Sequence, residues 1–378
     1  MPLTLSARTF TRPGAVRTAT GFAIAAIVLF GLAPAVLSDF RLGLLGKFLC
    51  FAIVAVGIGL AWGRGGMLTL GQGVFFGLGA YIMAMHLKIS DAELRGDTVP
   101  DFMQIAGIRE LPAYWVPFAS PAVTLLAILI VPALIAALLG FGVFARRVKG
   151  AYFAILSQAL AAAFAILLVG QQSTGGSNGL NRFRTFFGYD LSDPVNKRML
   201  FFIVAAILLL VVAATRQLMQ SRYGELLVAV RDQEERVRFL GYDPALIKVA
   251  AYTVAAFFAG IAGAMFVPIV GIISPADVGI VPSIAFLIGV AIGGRTTLLG
   301  PVLGAVGVAW AQTALSENFP SAWTYAQGLL FIVVVGFFPA GLAGVITLLR
   351  RRRRTTPTEP TPPTEPEPAD LPEMEPVR

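Results

Sequence analysis

The chain carries very little charge for its length. Only 13% of its 378 residues are Asp, Glu, Lys or Arg, whereas a soluble globular domain carries about a quarter. Hydrophobic residues make up 57% of the sequence, and the mean hydropathy is +0.78. This composition excludes an ordinary soluble protein and indicates a chain that uses lipid as part of its solvent.

Cysteine and histidine are almost missing. The sequence has one of each, Cys50 and His86, which excludes an intrachain disulfide framework and a Cys/His metal cluster. Cys50 lies in an apolar run and is interpreted as core packing, while His86 lies near a span end and is interpreted as an interfacial residue. We expect no metal site and no set of catalytic residues, because the sequence offers no nucleophile–base pair.

No phosphate-binding loop of the GxxxxGK[ST] type occurs in the sequence. The chain therefore does not hydrolyse ATP by that route, and we expect no cofactor on this chain. None of its carboxylates falls in the middle of a predicted span, whereas proton-driven carriers usually need an ionisable relay inside the membrane. If transport is active, its energy must come from another subunit, although a sodium site built from backbone carbonyls stays open.

Long continuous apolar runs predict an all-α polytopic membrane protein with about ten transmembrane helices, since a bilayer core needs roughly 20 apolar residues per helix. The runs do not alternate with polar residues, as barrel strands would. The eighth run is short and interrupted by glycine, which is typical of a broken or re-entrant helix. The first run lacks a cleavage site and is interpreted as a retained helix. The predicted spans are Gly21–Leu37, Leu44–Trp62, Met67–Leu87, Pro121–Phe144, Ala151–Gly170, Leu200–Ala214, Lys248–Val270, Ser283–Gly293, Leu298–Leu315 and Tyr325–Leu349.

Basic residues give the orientation. With the N-terminus in the cytoplasm, 20 of the 29 Lys and Arg residues lie on the inner side, so both termini are predicted to be cytoplasmic. Orientation also explains the pI of about 9.9 better than nucleic-acid binding does, and no nucleic-acid partner is expected. We divide the chain into a basic N-terminus (1–20), a membrane permease domain (21–349) and a Pro/Glu-rich tail (350–378) predicted to be disordered.

The largest internal loop, residues 216–247, contains a helical pattern. In "SRYGELLVAVRDQEERVRFLGYDP" apolar residues recur at helical spacing, and Asp232 precedes Arg236 by four positions. Gly241 suits a helix stop, and Asp243 followed by Pro244 suits the start of the next helix. The pattern predicts a helix–turn–helix on the cytoplasmic face, either as a docking place for a partner or as a solvated surface helix.

Uncharged polar residues occur within or next to the predicted spans. They either line a path for a neutral, hydrogen-bonding solute or bond between helices, and the glycine pair Gly73/Gly77 of the third span is typical of close helix packing. The turn "TGGSNGL" (Thr174–Leu180) is either a loop or a tight re-entrant structure at the external mouth. The candidate pathway residues are Thr69, Gln72, Ser157, Gln158, Ser177 and Asn178.

The chain resembles the permeases of branched-chain amino acid and urea ABC importers from about residue 20 to residue 348. Four blocks carry the resemblance: "GMLTLGQGVFFGLGAY" (Gly66–Tyr81), "RRVKGAYFAILSQAL" (Arg146–Leu160), "TGGSNGL" (Thr174–Leu180) and "VAIGGRTTLLGPVLGA" (Val290–Ala305).

The resemblance implies a bacterial inner-membrane location, a second homologous permease, two cytoplasmic ABC ATPases that bind the ATP, and a periplasmic solute-binding protein. It also implies that 222–244 is the coupling segment. The coupling residues are then Arg222, Arg231, Glu234, Glu235 and Gly241.

The urea branch of the family resembles this sequence most, through "YFAILSQAL", "ELPAYWVPF" (Glu110–Phe118) and the stretch Phe319–Gly344. This predicts a neutral path for urea. Two departures from the urea pattern, Gln72 and Ala285, leave a branched-chain or other small amino acid open as the solute. An ion-coupled secondary carrier is the alternative from a different class.

Overall fold

The computed structural model describes residues 12–148 and 150–318, together with the isolated positions 325, 328, 329 and 332. The predicted tenth span, apart from those isolated positions, lies outside the described residues, and so does the predicted tail 350–378. Within the described part the helices are α1 (Arg12–Ala26), α2 (Ala33–Val36), α3 (Asp39–Ile58), α4 (Gln72–Arg95), α5 (Asp101–Ile105), α6 (Pro121–Phe144), α7 (Ala151–Gly170), α8 (Pro194–Gln220), α9 (Arg222–Phe239), α10 (Pro244–Val270), α11 (Ile280–Gly293) and α12 (Leu299–Asn318).

Nine helical segments in the described part are long and apolar enough to cross a bilayer. This confirms the predicted all-α, multi-pass architecture. Each coincides with one of the first nine predicted spans, two with the same ends (Pro121–Phe144 and Ala151–Gly170) and seven with shifted ends. A π-helical stretch, Ile27–Leu32, joins α1 to α2, and another, Gly59–Arg64, extends α3.

Helices α4 and α10 form the centre of the fold and pack without room for side chains between them. A Cβ atom on Gly79 would collide with the backbone of Gly260, and one on Gly263 would collide with the backbone of Phe76. Small residues permit this close approach, and dispersion contacts then hold the helices together where lipid supplies no hydrophobic driving force. Helix α3 packs on α10 in the same way, since a Cβ on Gly57 would touch the Ala255 backbone.

The third span begins later than the sequence pattern predicts. Residues 65–71 are not helical, so the prediction that the helix starts at Met67 is wrong, and Thr69 lies in a connection between α3 and α4. One backbone angle and one close contact explain the break. Gly66 has φ +70, which favours glycine, and Gly71 lies so close to the Ser157 carbonyl that no Cβ would fit.

The eighth span is short, as the sequence indicates. Helix α11 has 14 residues, which is about 21 Å against a bilayer core of roughly 30 Å. A 3-10 turn, Pro275–Asp277, precedes it. Beyond the turn at 294–298 the chain returns as α12, and a Cβ on Gly304 would collide with the Gly289 carbonyl. The pair α11–α12 is therefore a tight, glycine-packed hairpin.

The segments opposite the α9 face are tied together by short strands and one buried carboxylate. Strand β1 (Leu180–Asn181) pairs with β4 (Ile272–Ile273), and β2 (Thr185–Phe186) pairs with β3 (Tyr189–Asp190). Asp91, 2% exposed, accepts hydrogen bonds from the backbone N–H groups of Arg184 and Thr185 at 2.8 and 3.1 Å. The "TGGSNGL" turn thus becomes two 3-10 turns and β1, a structured lid rather than an open loop.

Candidate solute pathway and coupling segment

The segment just before α4 is anchored to α7 by a serine. The Leu70 N–H donates to Ser157 Oγ at 2.9 Å, and the same hydroxyl donates to the Ala154 carbonyl at 2.9 Å. Ser157 therefore holds the break between α3 and α4 in place. From the sequence, Ser157 could either line a solute path or bond between helices, and these contacts are of the second kind.

The beginning of α4 also meets the beginning of α11. The Gly73 N–H donates to Ser283 Oγ at 3.1 Å, and Ser283 Oγ donates to the Gly279 carbonyl at 2.9 Å. A Cβ at Gly73 would approach the Val278 carbonyl. Because helix N-termini carry partial positive charge, two positive helix ends converge at this point.

This meeting point lies inside the bundle rather than at its surface. Helices α4 and α10 run parallel, with Gly79 against Gly260, so Gln72 lies level with a residue about nine positions into α10. At 1.5 Å per residue that is roughly 14 Å above the cytoplasmic end of α10. Interrupted helices that expose backbone at membrane depth are tolerated where they line a cavity.

The side chain of Gln72 lies at this meeting point, and its burial is not explained by hydrogen bonds to neighbouring helices. Its side chain is 1% exposed, and neither its amide nitrogen nor its amide oxygen has a hydrogen-bond partner among the described residues. An unpaired buried amide costs about 1–3 kcal/mol. Gln72 is therefore a reasonable candidate to gain a partner when solute or a second subunit arrives.

Of the other candidate pathway residues, Thr69 lies near Gln72, and the remaining three lie elsewhere. Thr69 is buried beside the Tyr252 hydroxyl. Gln158 is half-buried on α7, and Ser177 and Asn178 are exposed in the 3-10 turn Gly176–Asn178. The structure thus brings Thr69, Gln72 and Ser157 to the start of α4 and leaves the others apart.

A cavity of about 130 Å³ opens between α3, α4, α10, α11 and α12. Two charged residues, Lys47 and Asp277, line it. The sequence interpretation of a path without fixed charge is therefore wrong for this cavity. The sequence does not indicate a role for Lys47, because a single basic residue near the end of a span is common. Asp277 lies at the cavity only because the chain folds back before α11.

On the cytoplasmic side, α9 forms the helix that the sequence predicts. Ser221 caps it by accepting a hydrogen bond from the Gly224 N–H, and Gly241, with φ +87, ends it. Asp243 then caps α10 through the Ala245 N–H. A kink at Gln233, with φ −150 and ψ 72, divides α9 and was not foreseen, because nothing in the local pattern marks it.

One residue of α9 reaches the membrane helices directly. The Arg231 guanidinium donates to the Gly63 carbonyl oxygen at 2.8 Å, and its aliphatic part packs on Gly66. Arg231 also pairs with the neighbouring Asp232 at 2.7 Å. Arg231 thus connects α9 to the end of the α3 extension and to the break before α4.

Other predicted coupling residues stabilise α9 itself. Glu234 accepts from Lys248 of α10 at 2.8 Å, and Glu235 accepts from Arg238 at 3.0 Å. Arg222 is exposed at the first turn of α9. The Glu234–Lys248 pair connects α9 to α10, whereas the Glu235–Arg238 pair lies within α9.

The end of α9 and the turn after it expose three large apolar side chains. Phe239 is 91% exposed, Leu240 75% and Tyr242 50%. Neighbouring exposed apolar side chains of this kind are a candidate contact surface for another protein. The coupling residues predicted from the sequence, Arg222, Arg231, Glu234, Glu235 and Gly241, do not include these three.

The comparisons with known proteins agree with this architecture. The family model described as "Branched-chain amino acid transport system / permease component" matches residues 40–338. The chain belongs to this family. It is a multi-pass membrane permease, and the prediction of an inner-membrane location is confirmed. Its relatives are permease subunits of transport systems, which agrees with the prediction of a transporter subunit.

Two relatives have the same name. The chain is 26% identical over 346 residues to "High-affinity branched-chain amino acid transport system permease protein LivM" of Escherichia coli, covering 85% of this chain and 74% of the relative. The protein of that name from Salmonella typhimurium is also 26% identical, over 348 residues with the same coverage. No solved structure matches the chain. Neither name supports the predicted urea branch.

Proposed function

We propose that this chain is a pore-forming permease subunit of a bacterial ABC importer for small amino acids of the branched-chain type. It works with a second homologous permease, two cytoplasmic ABC ATPases and a periplasmic solute-binding protein, in a lipid bilayer. ATP binds to the ATPases and not to this chain. Family membership and the two relatives' names support the solute class.

The observation that carries the mechanism is the link from Arg231 to the Gly63 carbonyl at 2.8 Å. It joins a cytoplasmic helix to the end of the α3 extension, and the same arginine packs on Gly66 of the non-helical segment 65–71. Motion of an ATPase against α9 would therefore move the start of α4. That start is bonded through Gly73 to Ser283 of α11, so both interrupted helices respond together.

ATP-dependent uptake tests the proposal. The chain is expressed with the ATPases, second permease and binding protein proposed as its partners, and radiolabelled L-leucine and urea are offered to vesicles containing the assembled complex. We expect leucine uptake that requires both ATP and the binding protein. Uptake of urea but not leucine would replace the amino acid with the solute predicted from the sequence blocks, and uptake driven by an ion gradient without ATP would replace the importer with a secondary carrier.

A further inference from the structure

The cavity between α3, α10 and the α11–α12 hairpin has a polar rim and an aromatic interior. Its interior is lined by Phe51, Phe76, Phe266 and Phe286. These rings contact one another, with centroids 5.2 Å apart for Phe51–Phe286 and for Phe76–Phe266. At about 130 Å³, the space is close to that of an engineered apolar cavity of roughly 150 Å³ that accepts benzene, and thus suits a branched aliphatic side chain.

Two opposite charges at the same cavity have no ionic partner among the described residues. Lys47 Nζ lies 5.8 Å from the Phe51 ring centroid and has no carboxylate partner among the described residues. Asp277 Oδ2 accepts from the Ser274 N–H and Oγ, which leaves Oδ1 without a partner in that part of the chain. A membrane-embedded charge is expensive unless paired, so both groups favour a ligand that supplies the missing charges.

The helix dipole adds to the cationic side of the rim. Val281 and Pro282 of the first turn of α11 line the cavity, so the positive end of a 14-residue helix faces the space where Lys47 lies. A half-helix N-terminus at membrane depth suits a carboxylate. Asp277, immediately before that turn, suits an ammonium group.

We propose that this cavity binds a zwitterionic α-amino acid with an aliphatic side chain. Lys47 and the start of α11 hold its carboxylate, Asp277 holds its ammonium group, and the four phenylalanines enclose its side chain. The inference rests on the proposed amino acid specificity and adds to it a site within this subunit. Urea, which has no charge and no apolar part, gains little from this arrangement.

A cysteine-protection experiment tests the site without requiring transport. Gln312 lines the cavity, and Cys50 is buried, so a Gln312→Cys variant of the assembled complex carries one accessible thiol on this chain. We expect L-leucine to slow its labelling by a small maleimide. The analogues 4-methylpentanoate, which lacks the ammonium group, and 3-methylbutylamine, which lacks the carboxylate, should need about tenfold higher concentrations, since bonds to charged groups contribute on that order.

A charge variant tests whether Lys47 binds the carboxylate of the ligand. In the Gln312→Cys background, Lys47→Met should weaken protection by leucine and 4-methylpentanoate and leave that by 3-methylbutylamine unchanged. Lys197→Met, which removes an exposed lysine, is the matched control and should change nothing. Ala285→Phe, which fills the cavity, should abolish protection while the ATPases still co-purify.

The outcomes separate the site from the function. Equal protection by leucine and both analogues shows an apolar or lipid-filled cavity and overturns the proposal, as does protection by urea at the same concentration or no protection at all. If wild-type vesicles import leucine but leucine gives no protection, the site is wrong and the importer function stands. If leucine protects but is not imported, the site stands and the proposed function falls.

Discussion

The Arg231 guanidinium donates a hydrogen bond to the backbone carbonyl of Gly63 at 2.8 Å, across 168 residues of sequence. The same arginine packs on Gly66, whose φ of +70 begins the non-helical path to α4. One side chain therefore contacts both sides of the break between α3 and α4.

Replacing Arg231 by alanine should uncouple the ATPases from transport. The start of α4 no longer follows α9 once the bond to Gly63 is lost, so we expect leucine uptake to fall about tenfold or more while basal ATP hydrolysis persists. A hydrogen bond from a charged donor contributes about 1.5–3 kcal/mol, which supports that magnitude. Uptake and binding-protein-stimulated ATPase activity are measured on the same vesicles.

The matched control is Arg236→Ala on the same helix. Arg236 is exposed, so its replacement removes the same charge without touching the break. Equal loss of coupling in both variants would show that α9 acts through its net charge, and the specific link from Arg231 to Gly63 would be wrong.

The apolar turn after α9 should be the place where an ATPase docks. We expect Phe239→Ser with Leu240→Ser to reduce the amount of ATPase that co-purifies with this chain, since these side chains are 91% and 75% exposed and need not unfold the permease. Ile105, 89% exposed on the opposite side, supplies the control Ile105→Ser. Undiminished co-purification of the ATPase with the double variant would place the docking surface elsewhere.

Close packing of α4 on α10 predicts a steric effect at one glycine. Gly79→Ala should lower the melting temperature of the purified complex, because the added methyl group collides with the Gly260 backbone and overpacking costs about 1–3 kcal/mol. Gly43→Ala is the control, since nothing lies within 4 Å of a Cβ there. Similar melting temperatures for both variants would mean that α4 and α10 separate more easily than the structure indicates.

The sequence predicts what depends on local pattern and misses what depends on contacts between distant residues. Nine spans, the α9 helix and the stop at Gly241 follow from hydrophobic runs and capping residues. The late start of α4 does not, because it is set by the bond between Leu70 and Ser157, 87 residues apart. The hydrophobicity of "MLTLGQG" predicts a membrane helix, because close packing between backbones does not change the hydrophobic pattern of a sequence.

The same distinction between local pattern and distant contacts applies to the residues of the candidate site. Gln72 and Ser157 stand out as polar residues in apolar runs, and the structure joins their segments. Ser283 and Asp277 become interesting only when the chain before α11 turns back into the bundle. The bond between Gly73 and Ser283 spans 210 residues, a separation over which a single sequence contains no pairing information.

The ion pair between Lys88 and Asp101 predicts a pH dependence of stability. Lys88 is 3% exposed and its Nζ lies 3.0 Å from Asp101 Oδ1. Burial raises the pKa of Asp101, but the hydrogen bond and charge of Lys88, together with the Phe102 N–H and Arg95, outweigh it and hold the pKa below the ordinary 3.8. A lowered folded-state pKa means that the stabilisation is present above pH 3.8 and is lost as the pH falls through the folded-state value.

Asp101→Asn should therefore lower the melting temperature of the purified complex at pH 7, because it leaves the buried Lys88 ammonium without its partner. The difference from the wild type should narrow only as the pH falls below 3.8 and through the lowered folded-state pKa, where the wild-type carboxylate also becomes neutral. Since Asp101 is partly exposed, solvent screening limits the pair itself to about 1 kcal/mol or less. Glu93→Gln, which neutralises an exposed carboxylate on the same helix as Lys88, is the control, and a pH-independent difference for Asp101→Asn would assign its effect to packing rather than charge.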